Sequence, residues 1–347
     1  MTAYDKPPEL YAGLRLHQNE NTGGCSPRVL DALARLRADE VGFYPPYAAA
    51  TRACGEYLGV DPARLALTNG LDEGIMSLAV AYLRPPVGGP IPEAVIPEPA
   101  FEIFRVDTEV VGGRVVEVMP KPDFSFALDE VMAAITPRTR VVFLTNPNNP
   151  TGVSIPPDAI RQIARRVPKE AVVLVDEAYA EFAGTTFIPE LPAFPNVIVG
   201  RTFSKAFGLA GLRIGCLVGA SEVLNPVRAA VPVYSVNIAA VVAVQAALAD
   251  PAYLQDYLRQ VKESKALLYA ACDRFGLTYW KSDANFVLVC AGDRASVLVT
   301  GVAERGIYLR DRSTEPGCTG CIRIASGIVE HTRRPVAAME EVLCAAR

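Results

Sequence analysis

Short apolar runs rich in valine, leucine and isoleucine recur along the chain at Leu65 to Thr68, Ala94 to Ile96, Val115 to Met119, Val141 to Thr145, Val172 to Val175 and Val197 to Gly200. Runs this short, bounded by Gly, Pro, Asn or Asp, read as strands buried on both faces, and helical stretches alternate with them. That alternation predicts an α/β fold with a mostly parallel sheet wrapped by helices. Farther along, Leu254, Leu258, Val261 and Leu268 share one face of a helix that leads out of this large lobe. A strand at Asn285 to Cys290, a helix near Arg294 to Glu304, strands at Ile307 to Arg310 and around Arg323, and a terminal helix from Arg333 predict a smaller α+β lobe. The expected organisation is a large domain at residues 39–250 and a small domain assembled from 1–38 and 251–347. The chain shows no internal repeat, and low complexity is confined to breakers such as Arg84-Pro-Pro-Val-Gly-Gly-Pro90.

Two of the predicted strands end in chemistry. Val141-Val-Phe-Leu-Thr-Asn-Pro-Asn-Asn-Pro-Thr-Gly152 runs from apolar residues into a Pro/Asn/Gly loop, which sets Asn149 at the carboxyl end of a strand. Ala171-Val-Val-Leu-Val-Asp-Glu-Ala-Tyr179 stops at an acid, which sets Asp176 at a strand tip, where open α/β sheets bind their ligands. A third segment, Arg201-Thr-Phe-Ser-Lys-Ala-Phe-Gly-Leu-Ala-Gly-Leu-Arg213, sets Lys205 between two hydroxyls before it and an arginine after it, in a turn expected to open a helix. Thr202, Ser204 and Arg213 suit a phosphate, and Lys205 suits condensation with an aldehyde as a Schiff base. Pyridoxal phosphate (PLP) meets both demands. A carboxylate at Asp176 would pair with the protonated ring nitrogen, while Asn149 and Tyr179 would hydrogen-bond the ring oxygen. Each segment alone has a plainer reading as a solvated turn or a helix start. Their order along one chain favours the cofactor.

These segments give the chain its resemblance to the fold-type I PLP-dependent aminotransferases of class I/II, and within them to the histidinol-phosphate aminotransferases. The resemblance extends through Leu16-His-Gln-Asn-Glu-Asn21, Asn69-Gly-Leu-Asp-Glu73, Pro97-Glu-Pro-Ala-Phe101, Gly306-Ile-Tyr-Leu-Arg-Asp-Arg312 and Gly320-Cys-Ile-Arg-Ile-Ala-Ser326. It implies that Lys205 is the Schiff-base lysine and proton carrier, that Asp176 pairs with the ring nitrogen, and that Phe101 stacks on the ring. The amides of Leu71 and Asp72 would hold the cofactor phosphate at a helix start, with Thr202, Ser204 and Arg213. Tyr44 would reach that phosphate from a neighbouring subunit, which implies a homodimer with shared sites. Arg323, inside an apolar run, would take a substrate carboxylate, or a phosphate on a substrate lacking one. Arg310 would bind the phosphate of histidinol phosphate, with Asn21 also at the substrate.

Three departures concern the substrate. The loop after Asn21 reads Thr-Gly-Gly-Cys-Ser-Pro27 where many relatives place a proline at once. The segment Met1 to Arg15 lacks the family's Pro-Tyr pair, leaving Tyr4 or Tyr11 as substitutes, and Phe101 stands where a tyrosine is common. The activity implied is ping-pong transamination between histidinol phosphate and 2-oxoglutarate, a step of histidine biosynthesis. An aminotransferase for aromatic or other unphosphorylated amino acids, a threonine-phosphate decarboxylase and a non-catalytic regulator on the same fold are the alternatives.

The resemblance implies small-molecule partners, an amino donor and a 2-oxo acid, and composition agrees with it. The 347 residues are half apolar, enough for a large core, and the net charge of −4 supplies no basic face for nucleic acid. The N-terminus lacks a basic-then-apolar signal pattern, and no apolar stretch reaches membrane-spanning length. Eight scattered cysteines do not form a disulfide framework, which implies a reducing cytoplasm. Cys318-Thr-Gly-Cys321 has metal spacing but no second pair, with only His17 and His331 as imidazoles, so it is expected to be a turn entering a strand and no metal is expected.

Overall fold

The computed structural model describes residues 12–345. Its strands are, in chain order, β1 (Leu14–Arg15), β2 (Leu65–Thr68), β3 (Glu93–Pro97), β4 (Arg114–Val118), β5 (Thr139–Thr145), β6 (Val172–Asp176), β7 (Val197–Thr202), β8 (Gly215–Val218), β9 (Thr278–Tyr279), β10 (Phe286–Cys290), β11 (Ile307–Tyr308), β12 (Arg310–Asp311) and β13 (Cys321–Ala325). Seven of them form one sheet in the order β2-β8-β7-β6-β5-β3-β4. Every neighbouring pair is parallel except those involving β8, which runs antiparallel to both β2 and β7.

The continuous apolar runs follow from burial on both faces. Val95, Val142, Leu144, Val173, Val175 and Val199 point to one side, where they meet Ile160 and Ile163 of the helix Pro157–Arg166 and Ala240 and Val244 of the helix Ile238–Leu248. Ala94, Ile96, Val141, Phe143, Leu174 and Ile198 point to the other side, onto Ile75 and Leu78 of Gly70–Tyr82, Phe104 of Ile103–Val110 and Leu224 of Ser221–Ala230. Because strand side chains alternate, each run supplies both cores at once. β8 escapes the pattern reading because it is four residues long and starts on a glycine.

A second, four-stranded antiparallel sheet has the order β12-β13-β10-β9, and β1 pairs in parallel with β11. Val287, Val289, Ile322 and Ile324 pack with Leu298, Val302, Met339 and Val342 in a separate core that also takes Leu14 and Leu16. The single strand expected at Ile307 to Arg310 is divided. Ile307 and Tyr308 pair with β1, the chain changes partner at Leu309, and Arg310 and Asp311 pair with β13. The terminal helix starts at Val329, ahead of the expected Arg333, with the Thr332 N–H donating to the Ile328 carbonyl. The segment before Asp39 serves both cores: Leu14 and Leu16 join the small one, whereas Val29 of the helix Pro27–Ala34 is buried in the large one. The helix Pro251–Phe275 connects them, with Leu254 in the large core and Leu268 and Cys272 in the small. Within the described residues no single helix is long and apolar enough to cross a membrane.

Candidate active site

A cavity of about 470 Å³ opens at the carboxyl ends of the parallel strands, between the two sheets. Its lining includes Leu71, Asp72, Phe101, Asn149, Asp176, Tyr179, Thr202, Ser204, Lys205, Arg213, Arg310 and Arg323. Twelve of the residues singled out from the sequence therefore share one wall system. Parallel strands put their following loops on one edge, and β8, running the other way, brings Arg213 to the same edge just before it begins.

Asp176 is the last residue of β6 and is buried. Its Oδ1 accepts one hydrogen bond, from the Ala178 amide at 2.9 Å, and no cation among the described residues lies within ion-pair distance. Burial pushes this carboxyl up to about 7, against the pull of the Ala178 amide. Such a group is built to receive a positive partner with a proton to share.

Lys205 lies in the turn after β7. The expected helix does not follow; the chain instead makes a short 3-10 turn at Ala210–Leu212. Gly208 at φ +70° explains the departure, since its α-carbon packs against the Gly24 carbonyl, 2.1 Å from where a Cβ would stand, and the backbone must turn there. The ammonium donates to the Gln18 carbonyl at 2.9 Å. Desolvation and the Arg323 charge lower Lys205 to about 8, so a share of it is free amine near neutral pH.

The anion-binding corner assembles from three elements. Thr202 Oγ1 donates to Ser204 Oγ at 3.0 Å, and Arg213 Nη1 donates to Ser204 Oγ at 3.4 Å and Nη2 to Asp72 Oδ2 at 2.7 Å. The helix Gly70–Tyr82 begins here without a side-chain cap, leaving first-turn amides for an anion. A Cβ on Gly70 would sit 2.4 Å from Arg213 Nη2, so only glycine lets the guanidinium lie across the helix start. Opposite, Tyr179 OH accepts from Asn19 Nδ2 at 3.0 Å and keeps its own proton to donate, burial raising its pKa. Asn149 Oδ1 accepts from Arg323 Nη1, which leaves the Asn149 amide hydrogens for a ligand.

Arg323 is buried, donates from Nη2 to the His17 carbonyl at 2.6 Å, and lies with its guanidinium 5.4 Å from the Phe286 ring centre. Burial and then the Arg312 charge lower it to about 9, still cationic at neutral pH. His17, lowered to about 4 by burial and then Arg310, is a neutral imidazole on the same wall.

Two expected residues are not on this wall. Asn21 Nδ2 donates to the Ala206 carbonyl at 3.1 Å and its Oδ1 accepts from the Gly23 amide at 2.8 Å, so it shapes the loop beside Lys205 rather than facing the cavity. Tyr44 is largely exposed and stacks on Tyr234 with ring centres 4.1 Å apart. Tyr4 and Tyr11 lie outside the described residues. Sequence reasoning passed over His17, Asn19, Glu20, Glu102, Thr145 and Arg312, all of which line the cavity. For Arg312 a signal existed: it is two positions from Arg310, on the same side of a strand.

This constellation matches a known family over most of its length. The family model described as "Aminotransferase class I and II" matches residues 12–337. The chain belongs to the class I and II aminotransferases. It is 36% identical over 334 residues to a histidinol-phosphate aminotransferase of Symbiobacterium thermophilum, covering 95% of this chain and 90% of that protein. It is 33% identical over 340 residues to histidinol-phosphate aminotransferase 2 of Carboxydothermus hydrogenoformans, covering 95% and 91%. Among solved structures, the histidinol-phosphate aminotransferase of Sinorhizobium meliloti in complex with pyridoxal-5'-phosphate superposes with a TM-score of 0.86 at 27% identity, covering 97% of this chain and 92% of that one. The aspartate aminotransferase of Thermus thermophilus with maleate, at 23% identity and a TM-score of 0.79 over 95% of this chain and 92% of that one, shares the fold. The family places this chain among enzymes that move an amino group between small amino and oxo compounds, on a fold-type I scaffold.

Proposed function

We propose that the protein is a PLP-dependent histidinol-phosphate:2-oxoglutarate aminotransferase. The observation that carries the reading is the juxtaposition of a carboxylate held without a cation, an amine lowered to about 8 and an anion corner in one cavity, on a chain whose curated relatives are named for that activity. The donor set fits the cofactor: Asp176 suits a protonated ring nitrogen, the spare donors of Asn149 and Tyr179 suit a ring oxygen, and Phe101 supplies an aromatic face. Thr202, Ser204, Arg213 and the amides of Leu71 and Asp72 suit its phosphate.

Bound PLP would supply an electron-withdrawing ring that acidifies the α-carbon proton of the substrate. Asp176 would keep that ring protonated, and Tyr179 and Asn149 would stabilise negative charge on its oxygen. Lys205 Nζ would hold and move the proton of the substrate α-carbon, and its lowered pKa makes it a competent base near neutrality. Arg323 orients the carboxylate of glutamate or 2-oxoglutarate, and Arg310 the phosphate of the other substrate. Both half-reactions use the one cavity in turn.

A homodimer is part of the reading. Phe43, Tyr44, Val233 and Tyr234 form an exposed apolar cluster near residues that in one chain do not reach the cavity, and a second copy covering it would bring its Tyr44 to the phosphate corner. The lobe division at 39–250 against 1–38 with 251–347, and residence in the cytoplasm, complete the proposal; eight free thiols support the latter.

The test is the visible spectrum of the PLP-loaded protein during titration with L-histidinol phosphate, with phenylalanine and threonine phosphate alongside. Loss of the long-wavelength absorbance with histidinol phosphate, restored by 2-oxoglutarate, is expected, and Lys205→Ala should abolish both absorbance and turnover. Conversion of another donor alone replaces the substrate, release of carbon dioxide from threonine phosphate replaces the reaction, and turnover by Lys205→Ala refutes the mechanism.

A further inference from the structure

The small sheet presents more positive charge to the cavity than a carboxylate needs. In the antiparallel register Arg310 stands directly opposite Arg323, and the Arg312 amide donates to the Cys321 carbonyl at 2.9 Å, which extends the pairing one residue past β12. Side chains two apart on a strand share a face, so Arg310, Arg312 and Arg323 lie on one side while Asp311 turns to solvent. Like charges opposite one another across a ladder oppose folding unless an anion lies between them.

Arg312 is buried, and its counter-ions are few. Nη1 lies 2.5 Å from Glu315 Oε1 and 3.9 Å from Glu102 Oε1, while Nε has no hydrogen-bond partner. Glu315 Oε2 is likewise buried without a partner. The turn that returns Glu315 to Arg312 is fixed by the Glu315 amide donating to the Arg312 carbonyl at 3.0 Å. A pair whose only purpose was stability would close the guanidinium fork on both carboxylate oxygens. This one leaves binding capacity on each partner, and Arg312 itself lines the cavity.

We infer that Arg312 is a third anion-recognition residue, which joins Arg310 and Arg323 in gripping a dianionic phosphate monoester on the substrate, with Glu315 holding the guanidinium in place until the dianion arrives. The inference rests on the aminotransferase reading and names the residue by which the site selects a dianion over a monocarboxylate. One guanidinium satisfies a carboxylate in a bidentate pair, whereas a phosphate offers three oxygens and about two charges. Arg323 serves the first case, and the second calls on its neighbours.

Inorganic phosphate is the probe, titrated calorimetrically into the PLP-loaded enzyme, where the cofactor occupies the corner at Arg213. Arg312→Gln should weaken phosphate binding by about 10- to 100-fold, the range of a lost charge-assisted hydrogen bond, and should raise the ratio of KM for histidinol phosphate to KM for glutamate by roughly 10-fold or more. Glu315→Gln, which releases the guanidinium, should tighten phosphate binding; a purely structural pair would lose stability with binding unchanged or weakened. Wild-type enzyme that binds no phosphate, or Arg312→Gln that binds it as the wild type does, overturns the inference. Should Arg312→Gln not fold, Glu315→Gln decides alone: tighter binding supports the role, and unchanged or weaker binding overturns it. If the wild type binds phosphate but turns over only unphosphorylated donors, the substrate proposed above fails while the comparison of variants still decides Arg312.

Discussion

Replacing Asp176 with asparagine should stabilise the cofactor-free protein and impair the loaded one. Asp176 is 3% exposed, with one amide donor at 2.9 Å. Its carboxyl is raised from 3.8 to about 7, by burial first and by the Asp72 and Glu177 charges as well. Between those two values the unfolded chain releases its proton before the folded one does. The folded state then binds more protons, and stability falls as pH rises, by at most about 1.4 kcal/mol per unit. Below pH 4 the term is absent, and above pH 7 it is constant at about 4 kcal/mol, an upper figure because the buried site relaxes. Asparagine keeps the acceptor for the Ala178 amide and cannot ionise. Urea denaturation of cofactor-stripped wild type and Asp176→Asn at pH 5 and pH 8 should therefore show the variant's advantage growing by roughly 2–3 kcal/mol between the two. Saturating PLP should reverse the order at pH 8, since only the wild type then gains an ion pair. An advantage that is the same at both pH values would refute the reasoning, because the carboxyl would be titrating in its ordinary range.

Gly70→Ala puts a Cβ 2.4 Å from Arg213 Nη2 at a residue with φ +75°, so Arg213 must move; equilibrium dialysis should show PLP held about 10-fold or more weakly, from strain of roughly 1–2 kcal/mol. Arg201→Leu strands two buried carboxylates, Glu177 at 3.4 Å and Glu181 beside it, and should cost about 3–5 kcal/mol in chemical denaturation, a loss under about 1 kcal/mol counting against a buried pair. Arg310→Ala should raise KM for histidinol phosphate about 10-fold more than KM for glutamate in steady-state kinetics, and equal changes would mark Arg310 as a general surface charge.

The large sheet was legible because its strands are buried on both faces, and such strands announce themselves as unbroken apolar runs that stop at the residue bearing the chemistry. Val172 to Val175 ends at Asp176 and Val141 to Thr145 leads to Asn149, and both of these residues line the cavity. β8 was silent for the opposite reason: Gly-Cys-Leu-Val is too short to show a period, and its antiparallel course, which delivers Arg213, is set by packing between β2 and β7. The division at Leu309 was also out of reach, since Ile-Tyr-Leu-Arg reads as one strand and only the competition between β1 and β13 for partners separates it. His17, Asn19 and Glu20 come from an irregular segment with no periodicity to read. Asn21, expected at the substrate, is held instead by the Ala206 carbonyl and the Gly23 amide, since a loop leaves backbone groups that a nearby amide side chain satisfies first.

The same contrast separates what the site does from what it acts on. Asp176 at the end of β6 and Lys205, Asn149 and Arg213 in the adjoining loops belong to the large sheet, which is fixed by two cores and tolerates little displacement. Arg310 and Arg312 belong to the edge of the small sheet, where β12 is two residues long and Asp311 already faces solvent, with Arg323 on the neighbouring inner strand β13. A change at Arg310 or Arg312 alters the charge offered to the substrate and leaves in place the Arg323–Asn149 contact beside Lys205. Selectivity on this scaffold can therefore shift while chemistry stays constant, and three guanidiniums on one face of the small sheet are the feature by which this chain commits its cavity to a strongly anionic substrate.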